Sequence, residues 1–209
     1  MKEAQESGQK LPPSFYNRPD VLVIARELLG KVLVTEINGV RTSGIIVETE
    51  AYNGIVDRAS HAWNGRRSNR TEVMYAPGGI VYVYLCYGIH NLFNVVTNMQ
   101  DIPHAVLVRG LEPLEGIETM LERTGKKLVR PDLTAGPGSL SKALGITTAL
   151  TGRSLLGDTI WIEDRHIRIK KADIEAGTRV GVAYAKEDAL LPYRFSIRGN
   201  KWVSKGKGL

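Results

Sequence analysis

The chain has 209 residues and a formal net charge of +6, and 43% of its residues are hydrophobic and 24% are charged. These values are typical of a folded globular protein with one sizeable core, and they exclude wholesale disorder. No apolar run approaches the roughly 18 residues of a membrane helix, and the polar N-terminus lacks a signal peptide's apolar segment. With a single cysteine, Cys86, we expect no internal disulfide and an intracellular location (cytoplasm, nucleoid or nucleus). The positive charge favours a polyanionic partner without establishing one.

The first half of the chain predicts a helix and two hairpins within one domain, residues 11–204. Residues 1–10 predict a flexible N-terminal arm, and residues 205–209 predict a frayed C-terminal tail. Residues 19–30 carry apolar side chains at helical spacing before a glycine, which predicts a helix. Residues 31–52 predict a hairpin that turns at Asn38 and Gly39.

The second half mixes helices and short strands. Residues 112–125 predict a helix with Pro113 near its first position, and residues 139–146 predict a short helix behind a Gly-Pro-Gly loop. Residues 159–164, 166–174, 178–184 and 193–199 are typical of short strands. Because no regular βαβ rhythm is present, we predict an α+β class with a mostly antiparallel sheet.

Two carboxylates stand near the end of the strand that reaches Tyr52. Strand alternation places Ile46, Glu48, Glu50 and Tyr52 on one face. A carboxylate beside an aromatic ring in a partly closed site can act as a general base. Taken alone, the pattern is explained better by a strand whose solvent-facing end carries glutamates. A sugar hydrolase is not excluded by the spacing, although parallel side chains would not clasp a substrate from two sides.

A loop rich in arginine follows this strand. His61 lies among Arg58, Arg66, Arg67 and Arg70, and three of these arginines fall within five positions. This crowding fits phosphate binding better than a solvated surface. No HxH or HExxH spacing is present, so we expect no metal site.

Residues 81–94 concentrate tyrosine at a predicted turn. Two strand-like runs are joined by Tyr87, Gly88, Ile89 and His90, which predicts a hairpin with these residues at its tip. Exposed apolar side chains on a basic protein are typical of a wedge that enters between base steps from the DNA minor groove. Tyr82 is simply interpreted as a core residue of the strand.

Seven segments of the chain, in order, resemble the alkyladenine, or 3-methyladenine, DNA glycosylase family. They are IVETEAY, SHAWNGRRSNRTEVMY, VYVYLCYGIHNLFNVV, AVLVRGLEPLEG, AGPGSLSKALGI, TRVGV and YRFSIRGNKWVS, and the resemblance as a whole runs from about Leu11 to Ser204. The resemblance implies one compact α+β domain with a curved antiparallel sheet, flanking helices and a protruding β-hairpin. It also implies a monomer that flips alkylated or deaminated purines out of duplex DNA. The enzyme would hydrolyse the N-glycosidic bond in base excision repair, with no cofactor.

The resemblance also implies roles for individual residues. Glu50 matches the general base that activates water, and Arg109 and the backbone carbonyl of Val180 match the groups that hold this water. The walls of the base-binding site correspond to Tyr52, His61 and Tyr84, and Asn94 corresponds to the residue that opposes the 2-amino group of guanine. The DNA contacts correspond to Tyr87 as the wedge, Ile89 and His90 beside it, and Arg66, Arg70 and Ser139.

One position departs from the family pattern. The family's Gly-Pro-x-Lys-Leu loop carries a lysine toward the DNA backbone, where this chain has Ser139. Backbone N–H groups at a helix N-terminus can still bind phosphate, so we expect weaker DNA binding and retained catalysis. A non-enzymatic nucleic-acid binder and an RNA formyl-transfer or sugar-processing enzyme remain alternative functions.

Overall fold

The computed structural model describes residues 8–206 and residue 208. The strands in this part of the chain are β1 (Gln9–Lys10), β2 (Val32–Ile37), β3 (Val40–Tyr52), β4 (Val81–Cys86), β5 (His90–Thr97), β6 (His104–Glu115), β7 (Ile160–Asp164), β8 (Ile174–Gly177) and β9 (Arg194–Ile197). The α-helices are α1 (Pro13–Tyr16), α2 (Val21–Glu27), α3 (Ile117–Thr124) and α4 (Pro137–Leu144). One domain of mixed helices and antiparallel strands confirms the predicted α+β class.

One antiparallel sheet joins all nine of these strands. Its main path runs β1-β7-β2-β3-β6-β5-β4, while β9 pairs with both β3 and β8. The sheet is open, because β1 and β4 lie at opposite ends of this path. The β3–β6 pair contains register shifts around Glu48, which interrupt the strict alternation predicted for residues 46–52. Both predicted hairpins, β2–β3 and β4–β5, are confirmed.

Helices α2, α3 and α4 pack against the central strands. The carboxylate of Asp20 caps α2 by accepting the N–H groups of Leu22 at 2.9 Å and Val23 at 3.1 Å. Helix α2 contacts β3 and β6, while α4 contacts α3, β5 and β6. The main core between these elements holds fully buried side chains such as Phe93 and Leu111. This packing fixes the ends of β3, β5 and β6, where the candidate site lies.

The helices predicted to begin at residues 112 and 139 begin instead at Ile117 and Pro137. Pro113 lies in β6 opposite Gly44, and α3 begins only at Ile117, because Gly116 adopts a left-handed conformation with φ 69°. Helix α4 begins at Pro137, so this proline and Gly138 form its first turn instead of a preceding loop. A proline at the first helical position leaves no hydrogen bond unmade, which explains the earlier start.

Two of the four strands predicted in the last third are also wrong. Residues 178–184 form no strand, and residues 166–174 contribute only Ile174, the first residue of β8. The 178–184 segment is instead held by side chains: Arg179 pairs with Asp57, and the Val180 N–H donates to Glu50. Side-chain partners distant in sequence thus replace the ladder that the local pattern predicts.

The structure includes the last part of the predicted arm. Gln9 and Lys10 pair with β7, so these two residues belong to the sheet instead of a flexible arm. Residues 1–7, 207 and 209 lie outside the described residues. In the predicted C-terminal tail, the carbonyl of Gly206 accepts a hydrogen bond from Arg194 Nη1 at 2.8 Å. None of the helices in the described residues has the length and apolar character to cross a membrane.

Candidate active site

A cavity of about 650 Å³ lies beside the β4–β5 hairpin, the end of β3 and the first turn of α4. Most of the residues proposed from the sequence border it: Tyr52, His61, Arg70, Tyr84, Tyr87, His90, Asn94, Arg109, Ser139 and Val180. Three proposed residues lie elsewhere. Glu50 is fully buried behind the cavity wall, Ile89 lies at the exposed hairpin tip, and Arg66 borders a neighbouring groove.

Glu50 is a buried carboxylate whose hydrogen-bond partners border the cavity. Its Oε1 accepts the backbone N–H of Val180 at 2.7 Å, and its Oε2 accepts the Tyr52 hydroxyl at 2.9 Å. Arg109 Nη1 lies 3.4 Å from Oε1. Burial raises the pKa of Glu50 above its ordinary value, although Arg109, Val180 and Tyr52 each favour the charged form. A carboxylate with a raised pKa is a stronger proton acceptor, as a general base requires.

Arg109 bridges the two carboxylates of β3. Its Nε donates to Glu48 Oε1 at 3.1 Å, and its Nη2 donates to the Ser204 hydroxyl at 3.2 Å. Glu48 also accepts the backbone N–H of Ser204 at 2.7 Å and lies 3.5 Å from Arg194 Nη1. Glu48 is therefore held by structural partners alone, whereas two partners of Glu50, Tyr52 and Val180, border the cavity.

A buried ion pair supports the wall that carries Tyr52. Arg179 Nη1 donates to Asp57 Oδ2 at 2.5 Å, and its Nη2 donates to Oδ1 at 2.9 Å. The Arg179 guanidinium lies 5.0 Å from the ring centroid of Tyr52 and 5.2 Å from that of Tyr193. It also donates to the carbonyl of Ala51 at 3.0 Å. These contacts fix Tyr52 and the segment that brings Val180 to Glu50.

Asp57 also orders the loop between β3 and His61. Its carboxylate accepts the N–H groups of Asn53 at 3.0 Å and Ala59 at 2.9 Å. Within the described residues, no group of three or more His, Cys, Asp or Glu side chains could hold a metal ion. The two hydrogen bonds from Asn53 and Ala59 make Asp57 an anchor of this loop.

His61 is held as a neutral imidazole between polar partners. Its Nδ1 lies 2.8 Å from the Tyr82 hydroxyl, and its Nε2 lies 3.2 Å from Arg70 Nη2. Burial, together with the positive charges of Arg70 and Arg66, lowers the pKa of His61 to about 4. Because Arg70 can only donate, Nε2 is the acceptor and Nδ1 carries the proton. Tyr82 is buried as predicted, and it also orients this ring.

Aromatic rings and one amide line the inner cavity. The His61 and Tyr84 rings meet edge to face with centroids 4.6 Å apart. Asn94 is buried on β5, and its Nδ2 donates to the carbonyls of Tyr82 at 3.2 Å and Leu92 at 3.1 Å. Because both of these bonds use the amide nitrogen, the orientation of the Asn94 side chain is fixed.

The hairpin tip exposes two large apolar side chains. Tyr87 is 89% exposed and Ile89 is 72% exposed. Tyr87 and Gly88 have φ values of 50° and 75°, and the Ile89 N–H donates to the Cys86 carbonyl at 3.1 Å. Positive φ at both central residues is typical of a type I′ turn, which strongly favours asparagine or glycine at the position of Tyr87.

The four arginines of the loop divide into two pairs. Arg58 and Arg67 form ion pairs with Glu187 and with Glu72 and Asp101, respectively. Arg70 lies over the Tyr84 ring at 5.3 Å, and Arg66 is exposed. Of the four arginines for which the sequence predicts phosphate binding, only Arg66 and Arg70 are therefore without an acidic partner in the described part of the chain.

The first turn of α4 borders the cavity with small side chains only. A Cβ added to Gly138 would lie 2.8 Å from His90 Nδ1, so glycine permits the hairpin and the helix to approach. Ser139 follows at the cavity edge.

Comparisons with known proteins place the whole domain in one family. The family model described as methylpurine-DNA glycosylase (MPG) matches residues 14–201. The chain belongs to the methylpurine-DNA glycosylase family. Relatives from Clostridium acetobutylicum and Bacillus cereus are each 47% identical, over 93% of this chain and 97% and 98% of theirs. A relative from Chlamydia abortus is 49% identical over 90% of this chain and 97% of its own. All three are named "Putative 3-methyladenine DNA glycosylase".

Membership of the methylpurine-DNA glycosylase family confirms the resemblance stated from the sequence motifs. The supporting residues Glu48, Asp57, Arg179 and Ser204 were not among the proposed site residues. Ser204 reaches Glu48 across 156 positions of the chain, a contact that no local pattern signals. Arg179 directly precedes Val180, which was the only available hint of its role. For Val180 itself, the contact seen is its N–H to Glu50, where the sequence emphasised the carbonyl.

Proposed function

We propose that this chain is a DNA repair glycosylase that hydrolyses the N-glycosidic bond of damaged purines in duplex DNA. The proposal rests chiefly on the position of Glu50, a buried carboxylate whose partners Tyr52, Arg109 and Val180 border an aromatic cavity. The family and the names of the relatives agree with this activity. The product is an abasic site, the substrate of the next step of base excision repair.

In the proposed reaction, Glu50 accepts a proton from a water molecule whose oxygen bonds to C1′ of the deoxyribose. The bond from C1′ to the purine nitrogen breaks, and its electron pair leaves with the base. A purine alkylated at N3 or N7 carries a positive charge, so it leaves as a neutral molecule. Burial raises the pKa of Glu50, and the positive charge of Arg109 opposes this by favouring the ionised form. Arg109 and the Val180 carbonyl position the water in this mechanism.

The damaged purine enters the cavity between Tyr52, His61 and Tyr84. Stacking on an aromatic side chain contributes about 1–3 kcal/mol per base, and a desolvated cation over a ring gains about 2 kcal/mol. Extruding a base costs a few kcal/mol, and less for a damaged pair. The contributions are comparable, so the aromatic cavity offsets the cost of extrusion. A neutral His61 adds no charge that would repel a cationic base.

Selectivity depends on both the leaving group and the fit of the base. Asn94 is fixed by two hydrogen bonds at the inner wall, where the 2-amino group of guanine would meet it. Normal purines also leave poorly because their glycosidic bond is not weakened. Alkylated purines meet the leaving-group condition, and the deaminated purine hypoxanthine meets the condition of fit because it lacks a 2-amino group. We therefore propose alkylated and deaminated purines as the substrate class.

The hairpin tip and the basic residues around the cavity hold the DNA. Tyr87 fills the space left by the extruded nucleotide, with Ile89 and His90 beside it. Arg66, Arg70 and Ser139 contact the phosphate backbone. The protein acts as a monomer in the cell compartment that contains the DNA.

The mechanism is that of a monofunctional enzyme without a covalent protein–DNA intermediate. Among the described residues, no lysine borders the cavity from which it could attack C1′. Borohydride is therefore expected to trap no protein–DNA adduct. Efficient trapping would contradict the water-based mechanism.

The test is base release from duplexes that each carry 3-methyladenine, 7-methylguanine, hypoxanthine or an etheno-adduct. Glu50→Gln should abolish release of the purine and keep most of the affinity for the same duplexes, because it removes the proton-accepting carboxylate but not the cavity. Glu36→Gln, at an exposed position of β2, is the matched control. Full activity of Glu50→Gln would favour a different mechanism, and binding with no release by the wild type would favour a non-enzymatic DNA binder. Release of none of these bases together with weak DNA binding would favour an RNA- or sugar-processing enzyme.

A further inference from the structure

A second groove, of about 710 Å³, adjoins the cavity and shares His61 and Tyr184 with it. We name it the flanking groove. The residues that line it are Arg58, Ser60, His61, Trp63, Arg66, Tyr184 and Lys186. Its walls are two loops: one follows β3, and the other precedes β9. The groove and the cavity therefore lie side by side and share part of one wall.

The flanking groove combines exposed rings with exposed cations. Trp63 is 43% exposed and Tyr184 is 64% exposed, which is unusual for rings on one small surface. Arg58 is paired with Glu187, whereas among the described residues Arg66 and Lys186 form no ion pair. Rings beside unpaired cations are typical of surfaces that bind a nucleic-acid strand, with cations on phosphates and rings against sugars or bases.

The backbone of the groove is strained at a lysine. Lys186 has φ 55° and ψ −125°, a conformation that glycine adopts freely and other residues rarely adopt. Asn64, on the facing loop, also has a positive φ of 56°. Strain of this kind persists where the surroundings impose it, and it concentrates at functional sites.

The two loops are tied together before any ligand binds. The Tyr184 hydroxyl donates to the Ala59 carbonyl at 3.0 Å, and the Arg58 N–H donates to Asp188 Oδ2 at 2.8 Å. The groove is thus preformed, and its lysine is presented at a fixed place on the rim.

We propose that the flanking groove binds the sugar–phosphate backbone of the damaged strand next to the flipped nucleotide. Phosphates lie against Arg66 and Lys186, and the adjoining sugar packs against Trp63 and Tyr184. The occupant follows from continuity: the groove and the cavity share the wall of His61 and Tyr184, so backbone next to a base in the cavity lies within reach of the groove. This inference rests on the proposed function, because it assumes that the cavity receives a nucleotide.

The test measures binding to a short duplex with a central tetrahydrofuran abasic site, which requires no base release. Arg66→Gln and Lys186→Gln should each weaken binding and make the slope of log affinity against log salt shallower by about 1. Trp63→Ala should weaken binding by about fivefold or more, because a ring contact is lost. Lys127→Gln, an exposed lysine outside both spaces, is the matched control and should bind and act as the wild type does.

Lys186→Gly separates DNA contact from a structural role. Glycine relieves the strain at φ 55°, so the midpoint of thermal unfolding should rise while DNA affinity falls. A lysine with only a structural role would give unchanged or tighter binding in the more stable variant. That result would overturn the proposal.

Methylphosphonate substitution locates the phosphates. Neutralising the phosphates of the damaged strand beside the abasic site should weaken wild-type binding, weaken Lys186→Gln and Arg66→Gln less, and leave the double variant Arg66→Gln/Lys186→Gln unaffected. Sensitivity confined to the opposite strand, or an equal loss in wild type and variants, would overturn the proposal. If the wild type releases no damaged base yet shows this interference pattern, the proposed catalysis fails while the flanking groove stands.

Discussion

The backbone N–H of Val180 lies 2.7 Å from Glu50 Oε1, so a loop 130 residues away in sequence holds the buried carboxylate in place. With Arg109 at 3.4 Å and the Tyr52 hydroxyl at 2.9 Å, this bond defines which oxygen lone pairs remain for water. The carboxylate is thereby oriented before substrate arrives, and its ionisation depends on neighbours that can each be removed.

The rate of base release should fall as the pH drops through the raised pKa of Glu50. Only the ionised carboxylate accepts a proton, and burial moves its titration above the ordinary range. Arg109→Gln removes the positive charge that favours ionisation, so the acid side of the pH profile should move to higher pH. Single-turnover release across a pH series, with Lys127→Gln as control, measures this. An unmoved profile in Arg109→Gln would remove Glu50 as the titrating base.

Tyr87→Asn should stabilise the protein by about 1 kcal/mol while impairing release of bases from stable pairs. Asparagine tolerates the positive φ of this turn, but it cannot fill the gap in the stack. The β2–β3 hairpin offers a matched control, since Asn38 and Gly39 have φ values of 54° and 74°. Asn38→Tyr should lower stability by a similar amount and leave base release unchanged. Equal activity of Tyr87→Asn on paired and mismatched lesions would contradict the wedge role.

Asp57→Asn should destabilise the protein by about 3–5 kcal/mol, because it leaves the buried Arg179 guanidinium without its counter-charge. Asp158→Asn is the control: Asp158 pairs with Lys10 at the surface, where such pairs contribute about 0–1 kcal/mol. Urea unfolding measures both. The double variant Asp57→Asn/Arg179→Met should recover part of the lost stability, since the unpaired charge is gone. No recovery would mean that Arg179 contributes mainly through its packing on Tyr52.

Ser139→Lys should tighten DNA binding and steepen its salt dependence by about one phosphate contact. The side chain stands in the first turn of α4, at the cavity edge. Leu128→Lys adds the same charge at an exposed site outside the cavity and should change binding much less. Equal effects of the two lysines would assign the gain to net charge and not to position 139.

The sequence predicted the elements that depend on local patterns, and it failed where distant side chains decide the backbone. The Asn38-Gly39 turn and the helix after Asp20 follow from residues a few positions apart. The segment 178–184 alternates like a strand, yet Asp57 and Glu50 hold it in an irregular path. Pro113 suggests a helix start, but pairing with Gly44 extends β6 past it.

The same division applies to the candidate site. The residues that border the cavity were found through family motifs, which retain chemistry. Glu48 and Ser204 support that chemistry from behind, and their contact joins residues 156 positions apart in the chain. Burial and pKa depend on the packed surroundings and cannot be assigned to a residue type. The reacting groups are therefore easier to predict from a sequence than the groups that hold them in place.

The β4–β5 hairpin lies at the outer edge of the sheet, and its turn requires an unfavourable positive φ at Tyr87. Its base is held by β6, but none of the described strands lies beside its last two pairs, Leu85 with Asn91 and Cys86 with His90. The tip should therefore open and reclose many times for each global unfolding event, so that its amides exchange with solvent early. Under the proposed DNA-binding role, this compliance would let the tip adjust to DNA grooves of varying width while the floor of the cavity stays rigid.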